Sequence, residues 1–371
     1  MLPNYIVKKI KQDDSTIANK DDFSVPPYNP ITYYKDISSS NYFHSLLVLR
    51  HHIKMASDYY FSFKVDAKNI DLFMLTPSIS SPIGPGSDSE AIKIKFGKLN
   101  TFLIDSSQFG FEPILLNNFN KVYCYLPSMR GEKPDSRHLN QFFHCEVEIV
   151  GALEDLFGIA EGYVKFLCET VLLMESIVNN ISNDEKRTKT ILNKTIKIKT
   201  FPKITFDEAV DVLCKHGMKK YINFTKKGRD ISSKGEIELM KILNIDTPIW
   251  ITYFDRDRVP FYQKPLSTDK EKTINADLLF PPLLINNSFG GEILGSGQRQ
   301  DDPREMYESL ERQNISTKPY EWYIDIRRNG NYKITSGFGL GIERFLAWVL
   351  AKESIRDVIP YPRLKNIKTL P

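Results

Sequence analysis

The carboxyl-terminal part of the chain contains residues 336–344, SGFGLGIER, in which three alternating glycines lead into a helix. Apolar residues continue at helical spacing, namely Ile342, Phe345, Leu346, Val349 and Leu350. Such a strand end lets a ligand approach the backbone closely, and the helix that follows presents its positive end. Arg344 falls in the first helical turn, where the helix dipole disfavours a cation. This position favours phosphate binding over a structural role, although Gly-x-Gly-x-Gly alone is weak evidence and is not a Walker loop.

The segments upstream of residue 336 predict an α+β fold built on an antiparallel sheet. Short apolar runs that follow one another closely are typical of antiparallel strands. They occupy residues 91–96, 101–104, 121–126, 142–150, 248–253, 276–280, 291–295 and 332–337. Helical spacing predicts a helix over residues 42–60, leading into a strand near 59–65, and a longer helix over 153–178. Residues 76–88 contain three prolines and two glycines and are expected to form a loop.

One principal domain and a short arm account for the length of 371 residues. Residues 1–38 mix charge, proline and serine without a sustained period, which predicts an extended or partly disordered amino-terminal arm. Residues 39–371 are expected to form the principal domain. Within it, the Asn- and Lys-rich residues 179–199 indicate an exposed connection, and a small helical insert is expected around residues 180–245.

Composition narrows the class of protein. The formal charge of +4 lacks the dense basic signature of a dedicated nucleic-acid binder, so an RNA partner is allowed but not demanded. The four cysteines have no spacing that suits zinc or a disulfide framework, which is typical of free thiols in a reducing compartment. No basic leader with an apolar core and no apolar run of spanning length is present. A cytoplasmic protein with no membrane association is expected.

A polar hairpin loop is predicted within residues 129–142, MRGEKPDSRHLNQF, between two strand-like runs. Its arginines, Arg130 and Arg137, can bind phosphate oxygens bidentately, and Phe142 can lie against a purine face. Taken alone, the loop is better explained as a solvated charged turn.

Two carboxylates and an arginine occur on consecutive strand-like runs further along the chain. Asp277 lies in residues 276–280, Glu292 lies in residues 290–299, and Arg299 ends the second run. Carboxylates beside triphosphate oxygens are the usual way to hold Mg²⁺. A surface ion pair between Glu292 and Arg299 is the simpler alternative for these residues alone.

Together and in this order, the three segments resemble the class II aminoacyl-tRNA synthetases, most closely the asparaginyl enzymes and their aspartyl relatives. Residues 320–328, YEWYIDIRR, then residues 336–344, then residues 355–363, IRDVIPYPR, look like the carboxyl-terminal signature of that family. The resemblance covers about residues 40–364. It implies an antiparallel sheet flanked by helices and a homodimer built across the helix at residues 42–55.

The resemblance also implies an ATP-dependent ligase that makes an acyl-adenylate, with Arg130 and Arg344 as its catalytic residues. Arg130 would hold the α-phosphate and the substrate carboxylate, and Arg344 would hold the γ-phosphate. Asp277 and Glu292 would coordinate Mg²⁺. The other implied ATP-binding residues are Glu132, Arg137, His138, Phe142 and Glu292, and the other implied substrate-binding residues are Gln108, Glu112 and Arg299.

The chain departs from the family pattern at several positions. Some 40 residues precede the catalytic pattern, without the strands of an anticodon-binding OB fold, so anticodon-directed tRNA binding is not expected. Leu75-Thr76-Pro77 stands where the family has Glu-Thr-Pro, so the carboxylate for the substrate ammonium is missing. Phe111 replaces the lysine of aspartyl enzymes, and Glu112 matches the glutamate by which asparaginyl enzymes accept from the amide. Gln141 replaces the usual glutamate before Phe142.

Three hypotheses about function follow. In the first, the chain resembles the synthetase-derived asparagine synthetases, which pass adenylated aspartate to ammonia. In the second, it activates asparagine or a related acid and transfers the acyl group to a tRNA, a carrier or a small amine. In the third, it is a silent paralogue that binds nucleotide or RNA, and the retained arginines and carboxylates argue against that.

Overall fold

A mixed eight-stranded sheet lies at the centre of the computed structural model, which describes residues 2–87, 89–284 and 288–371. Its order is β1-β5-β6-β13-β12-β11-β10-β7, and every neighbouring pair is antiparallel except the two at its edges. These strands are β1 (Lys68–Asn69), β5 (Lys121–Met129), β6 (Gln141–Val150), β7 (Lys203–Thr205), β10 (Ile249–Thr252), β11 (Asn275–Phe280), β12 (Gly291–Gln298) and β13 (Thr335–Gly341). The predicted α+β class is confirmed.

Two small sheets complete the strand content of the described residues. One contains β2 (Leu75–Thr76), β3 (Lys93–Phe96) and β4 (Leu99–Leu103). The other is the hairpin of β8 (Ile222–Thr225) and β9 (Gly228–Ile231), which belongs to the predicted insert. The loop predicted over 76–88 begins within β2 and includes a bridge between Gly84 and Ser87, while Asp88 lies outside the described residues.

Helices cover the sheet. They are α1 (Asn4–Ser15), α2 (Tyr33–Ser39), α3 (Asn41–Tyr59), α4 (Gln108–Leu115), α5 (Leu153–Leu172), α6 (Glu175–Ile181), α7 (Glu185–Lys197), α8 (Phe206–Lys215), α9 (Ser233–Ile242), α10 (Pro303–Arg312), α11 (Glu321–Asp325) and α12 (Ile342–Val349). The apolar stripe of α5 and nearly all of α12 are buried in the main core, where they pack against β6 and β13. The described helices include none long and apolar enough to cross a membrane.

The prediction of an extended arm over residues 1–38 is wrong, because α1 and α2 lie within it. Ile6 and Ile10, one helical turn apart, are buried and pack in the main core. Asp14 fixes the end of α1 by accepting backbone N–H bonds at the start of α6. The apolar stripe of α1 is only two residues wide in a charged sequence, so its periodicity was too weak to predict a helix that tertiary packing stabilises.

Two further predictions of local structure are wrong. The strand expected near residues 59–65 is a π-helical turn, Tyr60–Val65, which continues α3 and places Tyr60 and Phe61 against Tyr163. The exposed connection expected over 179–199 contains α7, which buries Ile191 and Leu192. Both segments carry enough apolar area to be held by packing against α5.

Candidate active site

The alternating glycines of β13 form the floor of the site. In the antiparallel register, Gly337 pairs with Glu148, Gly339 with Glu146 and Gly341 with His144. Because side chains alternate along a strand, Phe142, His144, Glu146 and Glu148 all project from the same face of β6. A Cβ atom on Gly337 would lie 1.9 Å from Glu148 Oε2, so glycine is required there. The glycines thus leave space above the sheet for the side chains of β6.

Two neighbouring cavities open above this floor. The first has a volume of about 110 Å³ and is lined by all seven residues expected to bind ATP. They are Arg130, Glu132, Arg137, His138, Phe142, Glu292 and Arg344. The second, of about 290 Å³, includes Gln108, Phe111, Asp277 and Arg299. Both cavities contain Arg130, His144, Glu292 and Gly339. A molecule spanning the two would pass Arg130.

Arg130 lies at this junction. Its guanidinium makes no ion pair or hydrogen bond within the described residues, and Nε is buried without a partner. The guanidinium carbon lies 5.4 Å from the centre of the Phe142 ring. Because its Nε is buried without a hydrogen-bond acceptor, Arg130 can receive an anionic ligand from either cavity.

Arg344 and Arg137 hold the far side of the first cavity. Arg344 donates to Glu292 Oε2 at 2.8 Å, and its Nη2 lies 3.4 Å from His138 Nε2. Arg137 donates to the carbonyl oxygens of Gly290 and Glu292 and stacks on Phe289. Burial and the charge of Arg344 lower the pKa of His138, so its imidazole is neutral near pH 7. Glu132 accepts from the Glu90 backbone N–H at 3.2 Å.

Asp277 and Glu292 face each other across Gly295. A Cβ atom on Gly295 would lie 3.4 Å from an oxygen of each carboxylate. Burial and the neighbouring Glu292 raise the pKa of Asp277 well above its usual range, and no side chain among the described residues bonds to it. Burial acts to raise the pKa of Glu292, but Arg344, Arg137 and Arg130 together outweigh it and the pKa lies below its usual range.

This carboxylate pair fits a Mg²⁺ that shares its coordination with phosphate oxygens. Asp277 has oxygens without a partner, and the repulsion between the pair would be relieved by a divalent cation. Protein side chains alone do not complete a site, since no cluster of three or more ligating side chains suited to a metal occurs in residues 2–87, 89–284 and 288–371. Water and a ligand would supply the remaining oxygens.

Arg299 lies at the end of the second cavity, in a buried ion pair. Its Nε and Nη2 donate to Glu148 at 2.8 and 2.7 Å, whereas Glu292 pairs with Arg344. The simpler alternative, a surface ion pair between Glu292 and Arg299, is therefore wrong. The Nη1 group of Arg299 makes no hydrogen bond within the part of the chain that the structure describes. Arg299 can therefore offer one donor to a ligand while Glu148 balances its charge.

Glu112, which the resemblance places in contact with the substrate, lines neither cavity in the structure. Its carboxylate accepts from Arg327 at 2.6 Å, from Tyr332 at 2.9 Å and from Tyr323. Glu112 is 1% exposed. In α4, residues one apart point in different directions, so Phe111 reaches the second cavity while Glu112 points into the interior. Glu112 is thus a structural anchor.

Several polar residues of the second cavity were missed from the sequence. Glu146 is buried and accepts from the Ser106 hydroxyl and the Ser107 N–H. Gln263 has a buried Oε1 without a partner, which complements the equally unpartnered Nε2 of Gln108. Asp230 comes from the insert. Its position beside a basic run is the one signal in the sequence that could have identified it as a site residue. The alternation along β6 is the signal by which Glu146 could have been found.

Comparison with known proteins decides the family. Residues 29–365 match the family described as tRNA synthetases class II (D, K and N). The chain belongs to the class II tRNA synthetases. The resemblance seen in the motifs, and the fold that it implied, are confirmed.

Two class II relatives match this chain over only part of their own length. The asparagine–tRNA ligase of Mycoplasma genitalium is 33% identical over 309 residues, which cover 80% of this chain and 65% of that protein. The probable cytoplasmic asparagine–tRNA ligase of Encephalitozoon cuniculi is 30% identical over 317 residues, covering 84% and 65%. The chain therefore spans just under two thirds of the length of these synthetases.

A solved class II structure matches the fold closely. The asparaginyl-tRNA synthetase from Pyrococcus horikoshii, complexed with asparaginyl-adenylate, aligns with a TM-score of 0.78 and 27% identity. The match covers 90% of this chain and 71% of that chain. The sheet and flanking helices are therefore those of a synthetase catalytic domain.

Proposed function

We propose that the chain activates asparagine, forming asparaginyl-adenylate and pyrophosphate from ATP. The observation that carries this proposal is the position of Arg130 where the two cavities meet, with no hydrogen bond or ion pair to its guanidinium within the described residues. ATP would occupy the first cavity and the amino acid the second. The relatives named as asparagine–tRNA ligases, and the solved relative that holds asparaginyl-adenylate, support this assignment.

Positioning and charge would supply the catalysis. The substrate carboxylate attacks the α-phosphorus, a new P–O bond forms, and pyrophosphate leaves with the electron pair of the broken bond. Arg130 would bind both the carboxylate and the α-phosphate, which aligns them and stabilises the phosphoryl oxygens. Arg344 and Arg137 would bind the leaving phosphates, and Phe142 would stack on the adenine. Mg²⁺, when held by Asp277 and Glu292, would screen phosphate charge.

The second cavity favours a neutral side chain. Arg299, the residue expected to contact the end of the amino acid, is already neutralised by Glu148. The buried Phe111 occupies the place where aspartyl enzymes have lysine. A carboxylate would meet no unpaired cation at this end, whereas a carboxamide can accept from Arg299 Nη1. These features support asparagine over aspartate.

Pyrophosphate exchange into ATP tests the proposal directly. Exchange should depend on added asparagine, should be much weaker with aspartate, and should be lost in Arg344→Ala. Exchange with aspartate followed by AMP release on adding ammonia would instead establish an asparagine synthetase. Exchange with neither amino acid would contradict adenylation of both.

The dependence on Mg²⁺ should vary with pH. Mg²⁺ binds ionised carboxylates, and the pKa of Asp277 is raised by burial and by Glu292. Lowering the pH through that pKa should therefore raise the Mg²⁺ concentration that gives half-maximal exchange. Asp277→Asn should need more Mg²⁺ at every pH and should flatten this dependence. An unchanged pH dependence in Asp277→Asn would show that another group is responsible.

The hairpin of the insert favours an RNA acceptor over ammonia. Residues 215–228 contain five lysines and no acidic residue, and none of these lysines forms an ion pair in the described structure. Phe224 at the turn is 50% exposed, with Lys219 Nζ 5.4 Å from its ring centre. Asp230, on strand β9 of this hairpin, lines the second cavity. Lysines with an exposed aromatic suit a phosphate backbone and a stacked base.

Charge reversal should separate acceptor binding from adenylation. We expect Lys219→Glu, Lys220→Glu and Lys226→Glu together to weaken binding of labelled tRNA by at least about tenfold at low salt. Pyrophosphate exchange needs no acceptor and should be unaffected. Lys186→Glu with Lys197→Glu, both exposed on α7, is the control. Equal tRNA affinity in all three proteins would contradict an acceptor role for the hairpin.

A homodimer is the assembly that we propose. Three large apolar side chains on or after α3 are exposed: Leu47 by 42%, Phe63 by 75% and Phe73 by 41%. Such residues are typical of a surface that a partner covers. Light scattering should give the mass of two chains, and Phe63→Asp should shift it towards one. A single-chain mass for the unaltered protein would contradict the proposal.

A further inference from the structure

A carboxylate from the insert lies beside the arginines of the first cavity. Glu236 is in the first turn of α9, and its Oε2 accepts a 3.0 Å hydrogen bond from the backbone N–H of Glu292. A Cβ atom on Gly291 would lie 2.4 Å from Glu236 Oε2 and 3.4 Å from Arg137 Nη2. Gly291 has φ +80°, so glycine provides both the space and the backbone conformation. The carboxylate and the guanidinium thus converge on one peptide.

Residues 290–292, to which Glu236 is hydrogen-bonded, also accept hydrogen bonds from Arg137 and Arg344. Arg137 donates to the carbonyl oxygens of Gly290 and Glu292. Arg344 donates to the carbonyl and to the carboxylate of Glu292. A shift of residues 290–292 would therefore move both guanidinium groups and the Glu292 carboxylate together.

Glu236 also contributes negative charge to this cluster. Burial and the like charge of Arg344 lower the pKa of Arg137, and Glu236 counteracts them. Glu236 thus offsets part of the repulsion between the two arginines. It is not among the residues that line the first cavity, so it acts through its neighbours.

We propose that Glu236 is a positioning residue of the nucleotide site. It fixes residues 290–292 and holds Arg137 and Arg344 at the separation that receives a triphosphate. The insert is thereby a working part of the nucleotide site rather than an appendage. This inference rests on the proposed function only in assigning ATP to the first cavity.

Two substitutions separate the hydrogen bond from the charge. Glu236→Gln keeps an oxygen that can accept from the Glu292 N–H, and Glu236→Ala removes both the bond and the charge. The matched control is Glu238→Gln on the same helix, whose carboxylate pairs with Lys241 at 2.9 Å on the surface. Calorimetry with a non-hydrolysable ATP analogue and Mg²⁺ measures nucleotide affinity. Exchange kinetics give KM for ATP and KM for asparagine separately.

The expected result is a nucleotide-specific loss. The Kd for the analogue and KM for ATP should rise about tenfold in Glu236→Ala and less in Glu236→Gln, because the amide retains the hydrogen bond. KM for asparagine should stay unchanged in both, and Glu238→Gln should match the unaltered protein. Unchanged analogue affinity in both Glu236 variants, or equal rises in both KM values, would overturn the inference. Analogue binding by the unaltered protein without asparagine-dependent exchange would refute the proposed function alone, because calorimetry needs no turnover.

Discussion

Arg130→Ala is expected to reduce asparagine-dependent pyrophosphate exchange by about 100- to 1000-fold, the loss seen when one donor to a developing charge is removed. The loss should be this large because Arg130 is the one arginine or lysine of the described residues that lines both cavities, so its removal affects both alignment and charge. Arg130→Lys should recover little, since an ammonium lacks the planar fork that can bind two oxygens. Exchange rates at saturating ATP and asparagine give the effect on kcat.

The matched control for this prediction is Arg328→Ala. Arg328 has a 54% exposed side chain and pairs with Asp325 at the surface. Its removal should leave both the exchange rate and the melting temperature nearly unaltered. If Arg130→Ala retained exchange within about threefold of the unaltered protein, well short of the loss expected for a donor to the transition state, the junction of the two cavities would not be the site of reaction.

Glu112→Ala is expected to lower the free energy of unfolding by about 3–5 kcal/mol. The reason is that Arg327, fully buried, would lose its carboxylate partner while Tyr323 and Tyr332 would lose their acceptor. Chemical denaturation measures this loss. The protein that remains folded should bind asparagine normally, because Glu112 lies outside the second cavity.

Glu321→Gln is the comparison for Glu112→Ala. Glu321 also accepts from a tyrosine, Tyr307 at 2.7 Å, but on the surface, and its substitution should change stability by no more than about 0.5 kcal/mol. Unaltered stability with a raised KM for asparagine in Glu112→Ala would show that Glu112 contacts the substrate after all.

The residues predicted to bind nucleotide line one cavity in the structure, and strand order explains why they lie together. Arg130, Arg137 and Phe142 lie on or beside one hairpin, and Arg344 follows the strand that pairs with it, so adjacency in the sheet brings them together. Asp277 and Glu292 lie on β11 and β12, which pair directly. The pairing of neighbouring strands is enough to bring these residues together.

Contacts made across the fold were not predictable in this way. Glu112 meets Tyr323, Arg327 and Tyr332 more than 200 residues away, and no local pattern distinguishes a buried anchor from a ligand. Glu236 belongs to a short amphipathic helix whose periodicity explains its fold but not its hydrogen bond with the backbone of Glu292. The amino-terminal helix was missed for a similar reason, since Ile6 and Ile10 gain their significance only from the surface against which they pack.

Formation of asparaginyl-adenylate is measured most directly in a single-turnover reaction with ATP labelled at the α-phosphate. The protein would be mixed with labelled ATP, Mg²⁺, asparagine and pyrophosphatase and then quenched for chromatography. Labelled asparaginyl-adenylate should form in proportion to active sites, and it should be absent when asparagine is omitted and absent in Arg130→Ala. Labelled ADP in place of the adenylate would mean that attack occurs at the γ-phosphate and would contradict the proposed adenylation.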